Sequence, residues 1–161
     1  MRLLVSDANI LIDVEDGRVV EPAFALPYQL VVPDTLFYEE LEDQHETLVE
    51  YGLWVHSLTP ESMEYVQAVI RREPKPGRND CMALGLARQE QCPLLTGDQD
   101  LRHLAESEGI EVRGTIWLVE ELVRHELISK NEAFAAYQRM EAAGSRLPWA
   151  EARRRLARLP D

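Results

Sequence analysis

Four acidic residues are placed where a hard divalent cation could bind. Asp7 and Asp98 each come shortly after a short apolar run typical of a buried strand, with Ser6 before one and Gly97 before the other. Asp80 stands near the start of a predicted apolar helix, and Glu40 lies on a predicted helix after the second strand. Carboxylates crowded at one place repel one another and raise one another's pKa. Because Mg²⁺ and Mn²⁺ prefer oxygen ligands, such a cation would relieve that repulsion.

Each of these acids, taken alone, also has a purely structural explanation. Asp7 or Asp98 could accept a hydrogen bond from the first turn of the following helix as an N-cap. Asp80 could stabilise a helix by its negative charge near the positive end of the helix dipole. The combination of four acids therefore carries the functional interpretation.

The elements that must position these acids follow an alternating pattern. The sequence predicts five strands, at Leu3–Val5, Leu30–Val32, Trp54–Leu58, Pro93–Thr96 and Ile110–Val112. Helical segments separate them, which predicts parallel pairing with right-handed crossovers. The strand runs are mostly apolar throughout rather than alternating, as in sheets covered on both faces. We therefore predict a three-layer α/β/α domain, whose sites lie beyond the carboxyl ends of the strands.

Local signals predict several helices in more detail. Apolar spacing indicates helical structure over Thr35–Glu50, and Ser129 with Glu132 has the spacing of a capping box for a helix that reaches Ala143. Pro148 is expected to open a last helix.

Composition and charge exclude several classes of protein. The 161 residues carry 17 basic and 29 acidic side chains, a net charge of −12, and suit one globular domain. No apolar run approaches the roughly 20 residues of a membrane helix, and the amino terminus lacks the features of a signal peptide. Cys81 and Cys92 are too few for a zinc site or a disulfide framework. A cytoplasmic location without membrane attachment is expected.

Four short motifs, in order, resemble those of PIN-domain ribonucleases, the fold of VapC-type toxins. Val5–Ile12 resembles the family's opening motif of a strand, an Asp, one residue and an Asn. Glu40-Leu41 matches its Glu-Leu pair, Asp80–Ala87 its acid on an alanine-rich helix, and Thr96–Asp98 its Thr-x-Asp. The resemblance covers about residues 2–125.

This resemblance implies a fold, a reaction and a set of residues. The strand order would be 3-2-1-4-5, and the reaction would be hydrolysis of RNA phosphodiester bonds with Mg²⁺ or Mn²⁺. The implied catalytic residues and metal ligands are Asp7, Glu40, Asp80 and Asp98, with Asp100 as a candidate fifth ligand and Asn9 and Thr96 in supporting roles. The choices between Glu39 and Glu40, and between Asp98 and Asp100, stay open.

Partners and domain limits are further expectations. An RNA substrate, a homodimer and a cognate antitoxin protein follow from the resemblance, and the alternative is a PIN-fold protein-interaction module with little or no nuclease activity. We expect a PIN-like domain over residues 1–128 and a C-terminal helical extension over 129–161, packed on the same domain.

Basic residues are concentrated near the carboxyl terminus. Residues 146–161 contain five arginines. We expect weak contacts with RNA phosphates from Arg78, Arg102, Arg153, Arg154 and Arg155. The alternative is that the tail arginines form a solvated face paired with the acidic body.

Overall fold

A computed structural model describes residues 1–160, so Asp161 of the predicted extension lies outside the described residues. Its centre is one five-stranded parallel sheet in the order β3-β2-β1-β4-β5, as predicted. The strands are β1 Arg2–Ser6, β2 Tyr28–Pro33, β3 Trp54–His56, β4 Leu94–Leu95 and β5 Val112–Arg113.

The register of the central strand positions the ends that follow it. Val5 of β1 lies opposite Val31 of β2 on one side and Leu94 of β4 on the other. The backbone N–H of Asp7 donates to the carbonyl of Leu95 at 3.0 Å. The chain that leaves β1 and the chain that leaves β4 therefore emerge side by side at the carboxyl edge of the sheet.

Helices cover both faces of this sheet. They are α1 Ala8–Asp16, α2 Val20–Ala25, α3 Asp34–Leu36, a π-helical segment Phe37–Leu41, α4 Glu42–His45, α5 Thr47–Tyr51, α6 Pro60–Arg72, α7 Arg78–Glu90, α8 Gln99–Ser107, α9 Thr115–Arg124, α10 Lys130–Ala142 and α11 Trp149–Arg158. Helix α7 packs on β1 and β2, and it also contacts α6 and α8. Helices α1, α2, α9 and α10 pack against one another. Val5, Val31 and Leu94 are fully buried, which confirms the three-layer prediction.

The helical segment predicted over Thr35–Glu50 is present, although it is not one regular α-helix. The structure divides it into α3, the π-helical segment, α4 and α5. Within the π-helical segment Phe37 and Leu41 are buried, and Glu39 and Glu40 between them are exposed. Such π segments are frequent at functional sites.

The two C-terminal helices pack on the rest of the chain. The predicted capping box of α10 is present, because Ser129 Oγ accepts from the N–H of Glu132 and the Glu132 carboxylate accepts from the N–H of Ser129. Arg139 of α10 donates twice to the carbonyl oxygen of Gly17, at 3.1 and 2.8 Å. A side chain at Gly17 would collide with Met140, since its Cβ would lie 2.5 Å from Met140 Cε. The boundary at residues 128 and 129 stays a prediction.

The lengths and hydrophobicity of these helices do not fit a membrane-spanning segment. Within residues 1–160, none is both long enough and apolar enough to cross a bilayer.

Candidate active site

The Asp7 carboxylate is held rigidly at the carboxyl edge of the sheet. Its Oδ1 accepts from the N–H of Ile10 at 2.9 Å, so Asp7 is the N-cap of α1. Its Oδ2 accepts from Thr96 Oγ1 at 2.5 Å. Asp7 is only 3% exposed and Thr96 is fully buried. Asp7 therefore caps α1 and also lies at the sheet edge where the sequence predicts a metal ligand.

Thr96 also fixes the second acid of this edge. The N–H of Asp98 donates to Thr96 Oγ1 at 3.0 Å, and Asp98 Oδ1 caps α8 by accepting from the N–H of Leu101 at 2.8 Å. One hydroxyl thus ties the chain after β4 to the carboxylate after β1. Thr96 therefore contacts both acids, and the supporting role that the resemblance implies for it stays a prediction.

Electrostatic repulsion links all four predicted acids. The pKa of Asp80 is raised from 3.8 to about 6, chiefly by burial and additionally by the negative charges of Asp98 and Glu40. The pKa of Asp7 is also raised to about 6, chiefly by burial; its hydrogen bonds to Thr96 and Ile10 lower the pKa, and the charges of Asp80 and Asp13 raise it. Asp80 therefore lies at the centre of the cluster, which we call the acidic cluster: Asp7, Glu40, Asp80 and Asp98.

The structure distinguishes the two glutamates of the π-helical segment. Glu39 accepts hydrogen bonds from Arg78 Nη1 at 3.3 Å and from Asn79 Nδ2 at 3.2 Å. Glu40 is the one whose charge acts on Asp80. The geometry therefore favours Glu40 as the member of the cluster, and it places Arg78, a predicted RNA contact, in an ion pair with Glu39.

Asp100 is placed apart from the acidic cluster. It is exposed in the first turn of α8 and lines a shallow depression with Lys75 and His103. No interaction within residues 1–160 joins it to Asp7 or Asp80. The geometry therefore favours Asp98 over Asp100.

Asp98 lines a cleft that also contains the predicted residue Asn9 and two acids that the sequence analysis did not single out. Asn9, Asp13 and Asp16 line it from α1. Burial raises the pKa of Asp13, whose Oδ2 accepts from Thr115 Oγ1 at 2.8 Å. The signal for Asp13 and Asp16 was present in the sequence, because residues four and seven positions after Asn9 lie on the same helix face.

The chemistry of the acidic cluster suits a hard cation. All four side chains offer carboxylate oxygens, and none of them forms an ion pair within residues 1–160. In their present rotamers, no three His, Cys, Asp or Glu side chains of the described chain are arranged to hold one metal ion. Asp7 is fixed by two hydrogen bonds, whereas Glu40 is exposed.

The tail arginines are largely committed to carboxylates of the protein. Arg153 Nη2 pairs with Glu141 at 2.8 Å, and Arg155 Nη2 pairs with Glu120 at 2.7 Å. Arg154 is exposed between them. These contacts favour the solvated, internally paired face over a dedicated RNA surface on α11.

The raised pKa values predict how the stability of the metal-free protein depends on pH. A carboxyl group whose pKa rises from 3.8 unfolded to about 6 folded binds more protons when folded. Its contribution to the free energy of unfolding therefore falls as pH rises from about 4 to about 6 and stays low above that. In EDTA, we expect a lower Tm at pH 7.5 than at pH 5. Differential scanning fluorimetry should show a shallower decrease for Asp80→Asn, and an unchanged decrease would contradict this origin.

Comparisons with known proteins agree with the fold. A family model described as a PIN domain matches residues 3–160. No curated protein matches the sequence significantly. Among solved structures, a PilT N-terminus domain protein from the hyperthermophilic archaeon Sulfolobus solfataricus P2 is similar, with a TM-score of 0.50 and 12% identity over 76% of this chain and 94% of that one. At that identity the likeness concerns the fold alone.

Proposed function

The chain belongs to the PIN-domain family, a nuclease-type fold, and from that premise we propose that it is a metal-dependent endoribonuclease. The observation that carries the proposal is the convergence of Asp7, Glu40, Asp80 and Asp98 at the carboxyl edge of the sheet. Carboxylates that repel one another at the place where sheets of this type bind ligands are typical of a cation site.

The residues of the acidic cluster would hold Mg²⁺ or Mn²⁺. When bound, the metal would activate a water for attack on an RNA phosphodiester and offset the charge on the leaving oxygen. Thr96 keeps the Asp7 carboxylate in place through its 2.5 Å hydrogen bond. Asn9 is exposed in the cleft beside Asp98, where its amide can donate to a phosphate oxygen.

A finer proposal concerns the biological role. The motif similarity to VapC-type proteins supports a toxin of a toxin–antitoxin pair, which would act as a homodimer and be neutralised by a cognate antitoxin protein.

Metal binding should stabilise the folded protein measurably. A ligand at about 100 times its Kd adds about 2.7 kcal/mol to the free energy of unfolding. For a chain of this length that corresponds to a Tm increase of about 5–10 °C. We expect Mn²⁺ or Mg²⁺ at pH 7.5 to produce it, and RNA cleavage to require the same ions and stop in EDTA. A Tm that neither ion changes, together with RNA that stays intact, would contradict the proposal and favour a protein-interaction role.

A further inference from the structure

A second cavity lies next to the acidic cluster, at the carboxyl ends of β4 and β5. It has a volume of about 330 Å³ and is lined by Arg102 of α8, Arg113 of β5 and Arg155 of α11, with Trp117 of α9 beside them. We call it the arginine cavity.

The arginine cavity is adjacent to the proposed active site. Thr96, which donates to the Asp7 carboxylate, also lines the arginine cavity. Gly97 and Leu147 line both this cavity and the cleft that contains Asp98. A strand bound at the acidic cluster would therefore have its next nucleotide within reach of the arginines.

The charge of this cavity is opposite to that of the protein as a whole. The net charge is −12, yet three arginines from three different elements line the cavity and none of its lining residues is acidic. An anionic ligand is thus favoured locally on a chain that otherwise repels one.

Two of the arginines keep donors to spare. Arg113 pairs with Glu111 at 2.6 Å and Arg155 with Glu120 at 2.7 Å. A guanidinium has five N–H donors, and one carboxylate uses at most two of them. Both side chains are more than 40% exposed, so the remaining donors are accessible.

Arg102 is different, because its side chain is partly buried and its guanidinium has no partner among residues 1–160. No ion pair or side-chain hydrogen bond to Arg102 is present among residues 1–160, although Nη2 lies close to Gly114. A partly desolvated cation without an acceptor is unfavourable, and an anion at that place would compensate it. The first turn of α9 adds to this, since Gly114 provides no side-chain cap and the turn contains no acid.

We propose that the arginine cavity binds a backbone phosphate of the RNA strand, on a nucleotide next to the cleaved bond, with Arg102 as the main donor. The planar guanidinium fork matches two phosphate oxygens at once. The proposal rests on the proposed nuclease function and names the substrate contact that flanks its site.

Arg102→Gln tests the proposal, with Arg71→Gln as the matched control. Arg71 is an exposed arginine in the last turn of α6, so the control removes the same charge away from the cavity. Binding of a fluorescent single-stranded RNA is measured by anisotropy in EDTA across a salt series. We expect Arg102→Gln to raise Kd about tenfold and to reduce the slope of log K against log salt by about 1. A Kd and slope equal to those of Arg71→Gln would overturn the proposal.

Steady-state kinetics with Mg²⁺ provide a second readout. A phosphate contact away from the cleaved bond is made equally in the ground state and in the transition state, so its loss raises KM and leaves kcat unchanged. A decrease in kcat with an unchanged KM would instead place Arg102 in the chemistry and contradict a flanking subsite.

A titration that needs no cleavage separates this proposal from the nuclease function. A 5′-phosphorylated dinucleotide is added to the protein, and the indole N–H signal of Trp117 is followed by NMR after identification with Trp117→Phe. We expect a shift in the wild type and in Arg71→Gln, and none in Arg102→Gln. RNA that stays intact together with this shift would refute the nuclease and retain the subsite. Cleavage without the shift would refute the subsite alone, as would inorganic phosphate binding as tightly as the dinucleotide.

Discussion

Replacing Asp7 by asparagine is expected to lower RNA cleavage by at least about a hundredfold while the protein stays folded. Groups that only support a metal ligand already contribute 10–100-fold to metal affinity or activity, and Asp7 is proposed as a ligand itself. The fold should persist because asparagine is as good an N-cap as aspartate and can accept from the N–H of Ile10. Its amide nitrogen can donate to Thr96 Oγ1 where the carboxylate accepted before.

Three measurements check this result. Cleavage of a labelled RNA with Mg²⁺ gives the activity, the metal-dependent increase in Tm reports ligation, and expression of the chain alone in cells reports toxicity. Asp43→Asn is the matched control, because Asp43 is an exposed acid of α4 outside the acidic cluster. We expect the wild type and Asp43→Asn to cut RNA and arrest growth, and Asp7→Asn to do neither. An Asp7→Asn protein that cuts RNA at the wild-type rate would refute the nuclease interpretation of this site.

Much of the fold was accessible from the sequence because local patterns determine it. Continuous apolar runs predicted the five strands, and alternation with helices predicted parallel pairing. The order of the strands was not accessible in that way, since hydrophobicity does not say which neighbours pair. It came from the resemblance to PIN domains, and the pairing of β1 with both β2 and β4 confirms it.

The parts of the site that were not predicted depend on contacts between distant residues or on backbone hydrogen bonding. Apolar spacing could not separate Glu39 from Glu40, because a π-helical turn and an α-helical turn bury similar positions there. The partner of Arg155 was also inaccessible, since Glu120 lies 35 residues earlier in the chain. Sequence distance likewise gave no reason to separate Asp98 from Asp100, although one caps α8 and the other lies in its first turn.

The pair between Glu120 and Arg155 of α11 is a second place where one substitution should have a large effect, here on stability. This carboxylate is 1% exposed on α9 and is paired with Arg155 of α11 at 2.7 Å and with Arg124 at 3.6 Å. The buried hydroxyl of Tyr137 has no hydrogen-bond partner within residues 1–160, and burial together with the Glu120 charge raises its pKa. If Glu120 loses Arg155, few neighbouring groups can therefore compensate its buried charge.

Arg155→Met is expected to lower the free energy of unfolding by about 2–3 kcal/mol, because it leaves a buried carboxylate without its nearest partner. The value lies below the about 3–5 kcal/mol typical of fully buried pairs, since Arg155 is 48% exposed and Arg124 stays in place. Urea unfolding measures it, and the corresponding decrease in Tm is about 4–12 °C.

Two further variants separate the ion pair from the apolar packing of α11. Arg154→Met makes the same chemical change at an exposed neighbour and should alter stability by less than about 0.5 kcal/mol. The double variant Glu120→Gln/Arg155→Met removes the buried charge with its partner and should recover at least half of the loss, since a neutral amide is far less costly to bury than a lone carboxylate. If Arg155→Met were as stable as Arg154→Met, then the buried Trp149, Ala152 and Leu156 would be sufficient to hold α11, and the pair of Arg155 with Glu120 would contribute little to stability.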